Sequence, residues 1–254
     1  MMHSLHKCLL FVLFGCLEIN TLGSEIIHGK KAPDNQMLYM ASLQNDSGIH
    51  ICGGFLISKD FVVSAAHCYN KTPTSVVLGI HNLKKVNNGT MRYRVKLCKH
   101  PSYKNIITGD DIMLLKLLKK ARLSKSVKLI QLPKSKIEIK DNAKCSVAGW
   151  GSTETGGPSV DVLQEVDVSV VDYETCKRTW KVNLPANVIC AGGYKTDKGF
   201  CKGDSGGPLV CDGKAVGVVS FNRNRCDYPN VPNVYTNISK YLHWISKVKK
   251  KHGC

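Results

Sequence analysis

The sequence is poor in acidic residues. It has 19 aspartates and glutamates against 36 lysines and arginines, a formal net charge of +17 in 254 residues. It also lacks the cysteine and histidine spacing of a zinc site and any nucleic-acid recognition motif. Its one long apolar run, at residues 8–17, is too short to span a membrane comfortably. These absences argue against a zinc protein, a sequence-specific nucleic-acid binder and a membrane-anchored protein.

Cysteine, in contrast, is abundant. Twelve cysteines are too many for a reducing cytosol, so we expect a secreted or lumenal protein. Residues 1–23 are predicted to be a signal peptide, because basic residues precede the apolar run and residues 21–23 suit cleavage.

Short β-rich runs separated by turn residues occupy most of the remaining chain. In one of them, Tyr93, Val95 and Leu97 alternate with basic residues, which is the pattern of a half-buried strand. Only residues 238–250 have apolar positions at helical spacing. The pattern predicts an all-β sandwich or barrel with a C-terminal helix, and the length permits one large domain or two smaller ones.

The sequence Gly203-Asp204-Ser205-Gly206-Gly207-Pro208 is the strongest candidate site. A serine that attacks carbonyl carbons needs a tight, glycine-rich turn that exposes its hydroxyl and lets backbone N–H groups converge on one point. Ser205 is therefore the predicted nucleophile, and the N–H groups of Gly203 and Ser205 are the predicted oxyanion hole.

Two further motifs lie upstream. His67 stands in Ser64-Ala65-Ala66-His67-Cys68, and Asp111 precedes the apolar run 112–115. The order His67, Asp111, Ser205 is that of the chymotrypsin-like proteases. Across residues 26–250 the chain resembles that family, in its granzyme and mast-cell protease branch.

The resemblance implies two antiparallel six-stranded β-barrels, with a boundary near residues 125–140 and the site in the cleft between them. It implies that His67 acts as the base and that Asp111 orients it, so that Ser205 forms an acyl-enzyme. Asp110 is the competing aspartate; we prefer Asp111 because it directly precedes the apolar strand.

The resemblance also implies activation by proteolysis. Cleavage after Glu25 would free the amino group of Ile26 to pair with the buried carboxylate of Asp204. Ser24-Glu25 resembles the activation dipeptide that a dipeptidyl peptidase removes from granzymes. The alternative is that the signal peptide ends at Glu25 and that no zymogen exists.

Disulfides are implied by the same resemblance: Cys52–Cys68, Cys145–Cys211, Cys176–Cys190 and Cys201–Cys226. Cys98 and Cys254 are left over. They can pair within the chain, or one of them can bridge two chains; we expect a monomer.

The resemblance also implies the residues of the substrate pocket, by their positions relative to Ser205. Gly199 stands where trypsin-like members carry an aspartate, so cleavage after Lys or Arg is not expected. The other predicted pocket residues are Phe200, Lys202, Ser220, Phe221, Asn222 and Asn233. We expect cleavage after medium-sized uncharged residues; the alternative is an acidic residue, attracted by Lys202, Arg223 and Arg225.

Charge and composition suggest the partners. Without residues 1–25 the balance is 35 basic to 17 acidic residues, or +18, a field that attracts polyanions such as sulfated proteoglycans. No cofactor or metal is expected, because residues 79–93, where some relatives bind calcium, contain no carboxylate. Glycosylation acceptors occur at Asn45, Asn70, Asn88 and Asn237.

The predicted function is a secreted or granule-stored serine endopeptidase. The alternative from another class is a catalytically silent homologue that binds polyanions or microbial surfaces. A digestive or plasma protease of the same fold is a further alternative.

Overall fold

A computed structural model describes residues 26–136, 138–223, 225–227, 229–252 and 254. The predicted signal peptide and the dipeptide Ser24-Glu25 lie outside the described residues.

Thirteen strands form the bulk of the fold: β1 Lys30–Lys31, β2 Met40–Gln44, β3 His50–Ser58, β4 Phe61–Ser64, β5 Ser75–Leu78, β6 Met91–Lys99, β7 Met113–Leu117, β8 Lys144–Gly149, β9 Gln164–Val171, β10 Val188–Ala191, β11 Pro208–Cys211, β12 Lys214–Phe221 and β13 Asn233–Asn237. The helices are α1 Tyr173–Trp180 and α2 Leu242–Lys250, with short 3₁₀ helices at Ala66–Lys71, Leu83–Lys85 and Ile238–Lys240.

The strands close into two antiparallel six-stranded barrels, as predicted. The first has the order β2-β3-β4-β7-β6-β5. The second has the order β8-β9-β10-β13-β12-β11 and closes where β11 pairs with β8; β1 adds to it along β9. The first barrel ends at Leu117 and the second begins at Lys144, on either side of the predicted boundary.

Burial follows the alternation seen in the sequence. In β6, Arg92, Arg94 and Lys96 face solvent, whereas Tyr93 is buried. A buried cluster that includes Leu43, Phe55, Leu56, Leu114 and Leu115 fills the first barrel. Removal of this apolar surface from water is the main favourable contribution to folding.

The C-terminal helix packs on the first barrel although it follows the second in the chain. Tyr241, Ile245 and Val248 are buried in the first barrel's cluster. The preceding Asn237 caps the 3₁₀ turn, since its Oδ1 accepts from the backbone N–H of Ser239 at 3.0 Å. The side chain of this glycosylation candidate is thus used for capping.

Five disulfides link the described residues. Four are the pairs implied by the resemblance, Cys52–Cys68, Cys145–Cys211, Cys176–Cys190 and Cys201–Cys226. The fifth joins Cys98 on β6 to Cys254, so the two left-over cysteines pair within the chain. This bond ties the chain terminus beyond α2 to the first barrel.

Candidate active site

Ser205 lies on a turn pressed between the two barrels. Gly53 of β3 donates its backbone N–H to the Ser205 carbonyl at 2.8 Å. Gly206 has a φ of 83°, and a Cβ there would lie 2.1 Å from Ser64 Oγ. Only glycine fits this conformation and this close approach. The turn is therefore held against the first barrel, with Ser205 half-buried.

Two N–H groups of this turn are available to a ligand. Asp204 donates to the Cys201 carbonyl, Gly206 to that of Val219 and Gly207 to that of Asp204. Among the described residues, the N–H groups of Gly203 and Ser205 have no such partner. Backbone donors without partners on a glycine turn suit the stabilisation of a developing oxyanion.

His67 contacts Asp111 through two hydrogen bonds. Its Nδ1 lies 2.8 Å from Asp111 Oδ2, and its backbone N–H donates to Oδ1 at 2.9 Å. An ionised carboxylate only accepts, so Nδ1 carries the proton and Nε2 is left as an acceptor. The 3₁₀ helix Ala66–Lys71 holds His67, and the Cys52–Cys68 disulfide ties this helix to β3.

Asp111 is almost completely buried, with 1% of its surface exposed. The second barrel contributes two partners: the Ser220 hydroxyl donates to Asp111 Oδ2 at 2.5 Å, and the Thr236 hydroxyl donates to the Asp111 carbonyl at 2.9 Å. A buried carboxylate needs such donors, because desolvation of an unmatched charge is costly. Sequence reasoning assigned Ser220 to the pocket and did not identify its contact with Asp111.

Asp110 faces the C-terminal helix instead. Its Oδ1 accepts from the Tyr241 hydroxyl at 2.9 Å, and its backbone lies in the left-handed region with a φ of 57°. The structure thus brings Asp111, and not Asp110, to His67.

The turn that carries the nucleophile candidate contacts the neighbour of His67. Cys68, the neighbour of His67, directs its Sγ to the Ser205 carbonyl at 3.8 Å. Within the described part of the chain, Ser205 Oγ makes no hydrogen bond to His67. Proton transfer therefore requires a closer approach of these two groups, as is common in sites without substrate.

Comparison with known proteins decides the family. A model of the trypsin family, described as "Trypsin", matches residues 26–245. The chain belongs to the trypsin family. It is 41% identical to duodenase-1 of Bos taurus, over 96% of this chain and 97% of that protein. It is also 41% identical to granzyme B of Rattus norvegicus, over 96% of this chain and 99% of that protein.

A solved structure agrees with these relatives. Neuropsin, described as a serine protease expressed in the limbic system of mouse brain, superposes with a TM-score of 0.81. It is 33% identical to this chain and covers 88% of it, with all of neuropsin matched. The chain is accordingly a serine endopeptidase related to granzymes and mast cell proteases, with the chymotrypsin fold.

Asp204 of this trypsin-family protease is fully buried beneath the turn. Its Oδ1 accepts from the Gly151 N–H at 2.7 Å and its Oδ2 from the Cys201 N–H at 2.9 Å. Among the described residues it forms no ion pair. Burial raises the pKa of Asp204 to about 7, although the two backbone N–H groups oppose this. Ile26 is completely buried in the same cluster as Phe200 and Tyr235.

His50 supports the turn from the first barrel. Its Nδ1 accepts from the Ser42 hydroxyl at 2.8 Å, and its Nε2 donates to the Gly203 carbonyl at 3.1 Å. Burial lowers the pKa of His50 to about 4, which keeps the ring neutral. The ring also packs against Trp150, with the centroids 5.6 Å apart. No motif in the sequence links His50 to a turn 153 positions away.

Gly199 and Asn233 meet in the predicted substrate pocket of the protease. A Cβ on Gly199 would lie 1.8 Å from Asn233 Nδ2. Asn233 is 3% exposed, so its amide occupies the space that a side chain at position 199 would fill. Asn222, another predicted pocket residue, donates from Nδ2 to the Phe200 carbonyl at 2.9 Å.

The cationic side chains near this pocket are only partly available to bind an acidic substrate side chain. Arg225 pairs with Asp227 at 3.2 Å, and the Arg223 guanidinium lies over the Trp180 ring at 5.8 Å. Trp180 in turn contacts the predicted wall residue Phe221 edge-on. Lys202 is exposed. Neither arginine is thus directed at the base of the pocket.

Two negative findings concern the described residues. The only cluster there with metal-ligand character is Cys52, His67 and Cys68, and its two cysteines form a disulfide, which removes the thiolates that a metal would need. No helix within the same ranges is long and apolar enough to cross a membrane.

Proposed function

We propose that this protease hydrolyses peptide bonds by attack of Ser205, with His67 as the proton carrier and Asp111 as its positioning partner. The observation that carries this proposal is the bond of His67 Nδ1 to Asp111, which leaves Nε2 as the unprotonated nitrogen of the ring. Serine is a weak nucleophile at neutral pH and needs such a base.

The first half of the reaction forms an acyl-enzyme. Ser205 Oγ bonds to the carbonyl carbon of the scissile peptide while its proton passes to His67 Nε2. The carbonyl oxygen becomes an oxyanion and accepts from the N–H groups of Gly203 and Ser205. The carbon–nitrogen bond then breaks, and Nε2 returns the proton to the leaving amine.

Water completes the cycle. It attacks the acyl carbon as Nε2 accepts its proton, and the bond to Ser205 Oγ breaks as that oxygen takes the proton back. Asp111 stays ionised throughout and stabilises the imidazolium, held by its contacts with Ser220 and Thr236.

Activation is part of this proposal. In the uncleaved chain the nitrogen of Ile26 is an amide, and the carboxyl group of Asp204 has no cationic partner among the described residues. Removal of Ser24-Glu25 by a dipeptidyl peptidase would create an ammonium group at Ile26. That charge would compensate the buried Asp204 and fix the turn that carries Ser205.

The proposed substrates are proteins cleaved after medium-sized uncharged residues. Gly199 provides no carboxylate for lysine or arginine, and Asn222 and Asn233 fill part of the pocket. Bulky aromatic side chains are disfavoured for the same reason. We further propose a secreted or granule-stored monomer whose cationic surface binds sulfated proteoglycans.

Cleavage of a peptide library tests the function. The protein should begin at Ile26, with Ser205→Ala as the inactive variant and the exposed Ser135→Ala as a matched control. We expect Ser205→Ala to lose about 10⁵- to 10⁶-fold in kcat, and Ser135→Ala to lose nothing. If folded protein cleaves no peptide, the silent polyanion-binding homologue gains support; cleavage after Lys or Arg would contradict the assigned pocket.

A further inference from the structure

Exposed apolar side chains are concentrated on the connection between the two barrels. Seven large apolar side chains of the described residues are exposed, and three of them lie within residues 118–129, here called the connecting segment: Leu118, Leu123 and Leu129. Single exposed apolar residues are common on protein surfaces, whereas a group of them indicates a binding surface. The connecting segment is therefore a candidate interface.

Hydrogen bonds to β6 fix the first part of the connecting segment. The Leu118 N–H donates to the Arg94 carbonyl at 3.0 Å. The Arg122 N–H donates to the Tyr93 hydroxyl oxygen at 3.0 Å. Because Tyr93 and Arg94 are consecutive, both bonds are made with the same part of the strand, and Leu118 and Leu123 lie beside it. Leu118 is 61% exposed although its backbone is bonded to the barrel, so the fold holds this side chain in solvent.

A turn forms the second part of the connecting segment. The Ser124 N–H donates to the Val127 carbonyl at 3.1 Å, and the Ser124 hydroxyl oxygen accepts from the Val127 N–H at 3.1 Å. Val127 is buried in the core cluster of the first barrel and holds the turn against it. Leu123 and Leu129, on the two arms of this turn, are each 41% exposed.

The exposed polar side chains around these leucines are cationic. The connecting segment has no acidic residue and five exposed basic ones: Lys119, Lys120, Arg122, Lys125 and Lys128. None of the five forms an ion pair with another described residue. Asp60, whose carbonyl accepts from the Leu117 N–H at 2.8 Å, already pairs with Lys116. The connecting segment therefore presents an uncompensated positive charge beside its apolar side chains.

The surface of an anionic lipid bilayer matches both properties. Its headgroups supply negative charge and its acyl chains supply an apolar phase, so the cations and the leucines are satisfied together. A sulfated glycan would pair with the cations and leave the leucines in water. A second copy of the chain, placed symmetrically, would bring like charge to the same surface.

We propose that the connecting segment binds anionic membranes peripherally, with its five cations at the headgroups and with Leu118 and Leu123 inserted among the acyl chains. Stable peripheral binding requires two contributions, and this segment offers an apolar one and an electrostatic one. The inference goes beyond the proposed function, because it concerns where the protease is held and uses no residue of the candidate active site.

Co-sedimentation with vesicles tests the proposal. The protein should begin at Ile26 and carry Ser205→Ala, so that binding is measured without proteolysis. We expect this protein to sediment with vesicles of phosphatidylcholine and phosphatidylserine, and to stay in the supernatant with vesicles of phosphatidylcholine alone. Failure to sediment with the anionic vesicles would overturn the inference, whether or not Ser205 proves to be an active nucleophile.

The leucines distinguish insertion from attraction by charge alone. Leu118→Ser combined with Leu123→Ser should weaken binding to the anionic vesicles about 10- to 100-fold, because both side chains lose their transfer into the acyl phase. The matched control is Ile49→Ser combined with Val182→Ser, since these side chains are also exposed and lie outside the connecting segment. The control should bind as wild type does. Equal binding by the two double variants would contradict insertion of the leucines.

The position of the charge needs a control of its own. Lys119→Gln, Lys120→Gln and Lys125→Gln together should weaken binding roughly 100-fold. The control removes the same charge from the exposed lysines of α2, through Lys247→Gln, Lys249→Gln and Lys250→Gln. We expect a smaller loss for this control. Equal losses would show that net charge alone drives binding, and would overturn the assignment to the connecting segment.

Immobilised heparin separates a bilayer from a sulfated glycan as the partner. Heparin offers sulfates and no acyl phase, so the variant with Leu118→Ser and Leu123→Ser should elute at the same salt concentration as wild type. Its Tm should also match, because both side chains are exposed. Loss of heparin binding together with vesicle binding, or a lowered Tm, would show that the leucines act through folding and would overturn their assigned role.

Discussion

The Ser220 hydroxyl donates to Asp111 Oδ2, the same oxygen that accepts from His67 Nδ1. Ser220 belongs to the second barrel, whereas Asp111 and His67 belong to the first. The carboxylate that orients the histidine is therefore positioned by the barrel that carries Ser205, and the two halves of the site are coupled through this contact.

We expect Ser220→Ala to lower kcat with little change in KM. A hydrogen bond to a charged group contributes roughly 1.5–3 kcal/mol, so a loss of about 10- to 100-fold is expected if Ser220 positions Asp111. Steady-state kinetics on one peptide measures both constants. The exposed Ser135→Ala should match wild type; a rise in KM alone would assign Ser220 to substrate binding instead.

His50 should make folding sensitive to acid. Its pKa is about 4 in the folded protein, whereas the ordinary value is 6.5. The unfolded chain therefore takes up a proton first, so the stabilising contribution is complete above pH 6.5 and is lost as the pH falls toward 4. Two or more pKa units correspond to roughly 3 kcal/mol.

The measurement for His50 is the Tm between pH 7.5 and 4.5. The Tm of His50→Gln should fall less steeply than that of wild type over this range. The Tm of the exposed His243→Gln should follow that of wild type. Parallel curves for all three proteins would contradict a neutral, half-buried His50.

Asp204 should give the uncleaved chain the opposite dependence of folding stability on pH. With a folded pKa of about 7 against an ordinary 3.8, Asp204 stays protonated in the fold after it has ionised in the unfolded chain. The stability associated with this group is complete below pH 3.8 and is lost as the pH rises through 7.

The comparison for Asp204 is thermal unfolding of two proteins, one beginning at Ser24 and one at Ile26. We expect the longer protein to be the less stable at pH 8, with a smaller difference at pH 5, because only the shorter one has its ammonium group at Ile26. Asp204→Asn in both backgrounds should remove the difference. An identical pH dependence of the two starting proteins would refute the proposed ion pair.

The Cys98–Cys254 bond should stabilise the monomer. It closes a separation of 156 residues, and a loop of that length restricts the unfolded chain strongly. Replacement of both cysteines by serine should cost about 2–4 kcal/mol, measured by urea unfolding. Wild type should migrate as a monomer on non-reducing gels; a disulfide-linked dimer would contradict the intrachain bond.

The sequence by itself determined the family, the fold class and the identity of the candidate nucleophile, base and positioning aspartate. Each could be predicted because it depends on residues close together in the chain. Gly203 to Pro208 form a turn whose geometry depends on consecutive residues, and the β pattern depends on alternation along single strands. The implied disulfides followed from positions that the same resemblance supplied.

Only the tertiary structure decided the rest. Several features depend on contacts between residues that are far apart in the chain. They are the pairing of Cys98 with Cys254, the support of Asp111 by the second barrel, the position of Asp110 away from His67, and the side chain that faces Gly199. His50 and Gly203 are 153 positions apart, and Ser220 and Asp111 are 109 apart. Such contacts arise from the closure of two barrels against each other, and no local pattern encodes them.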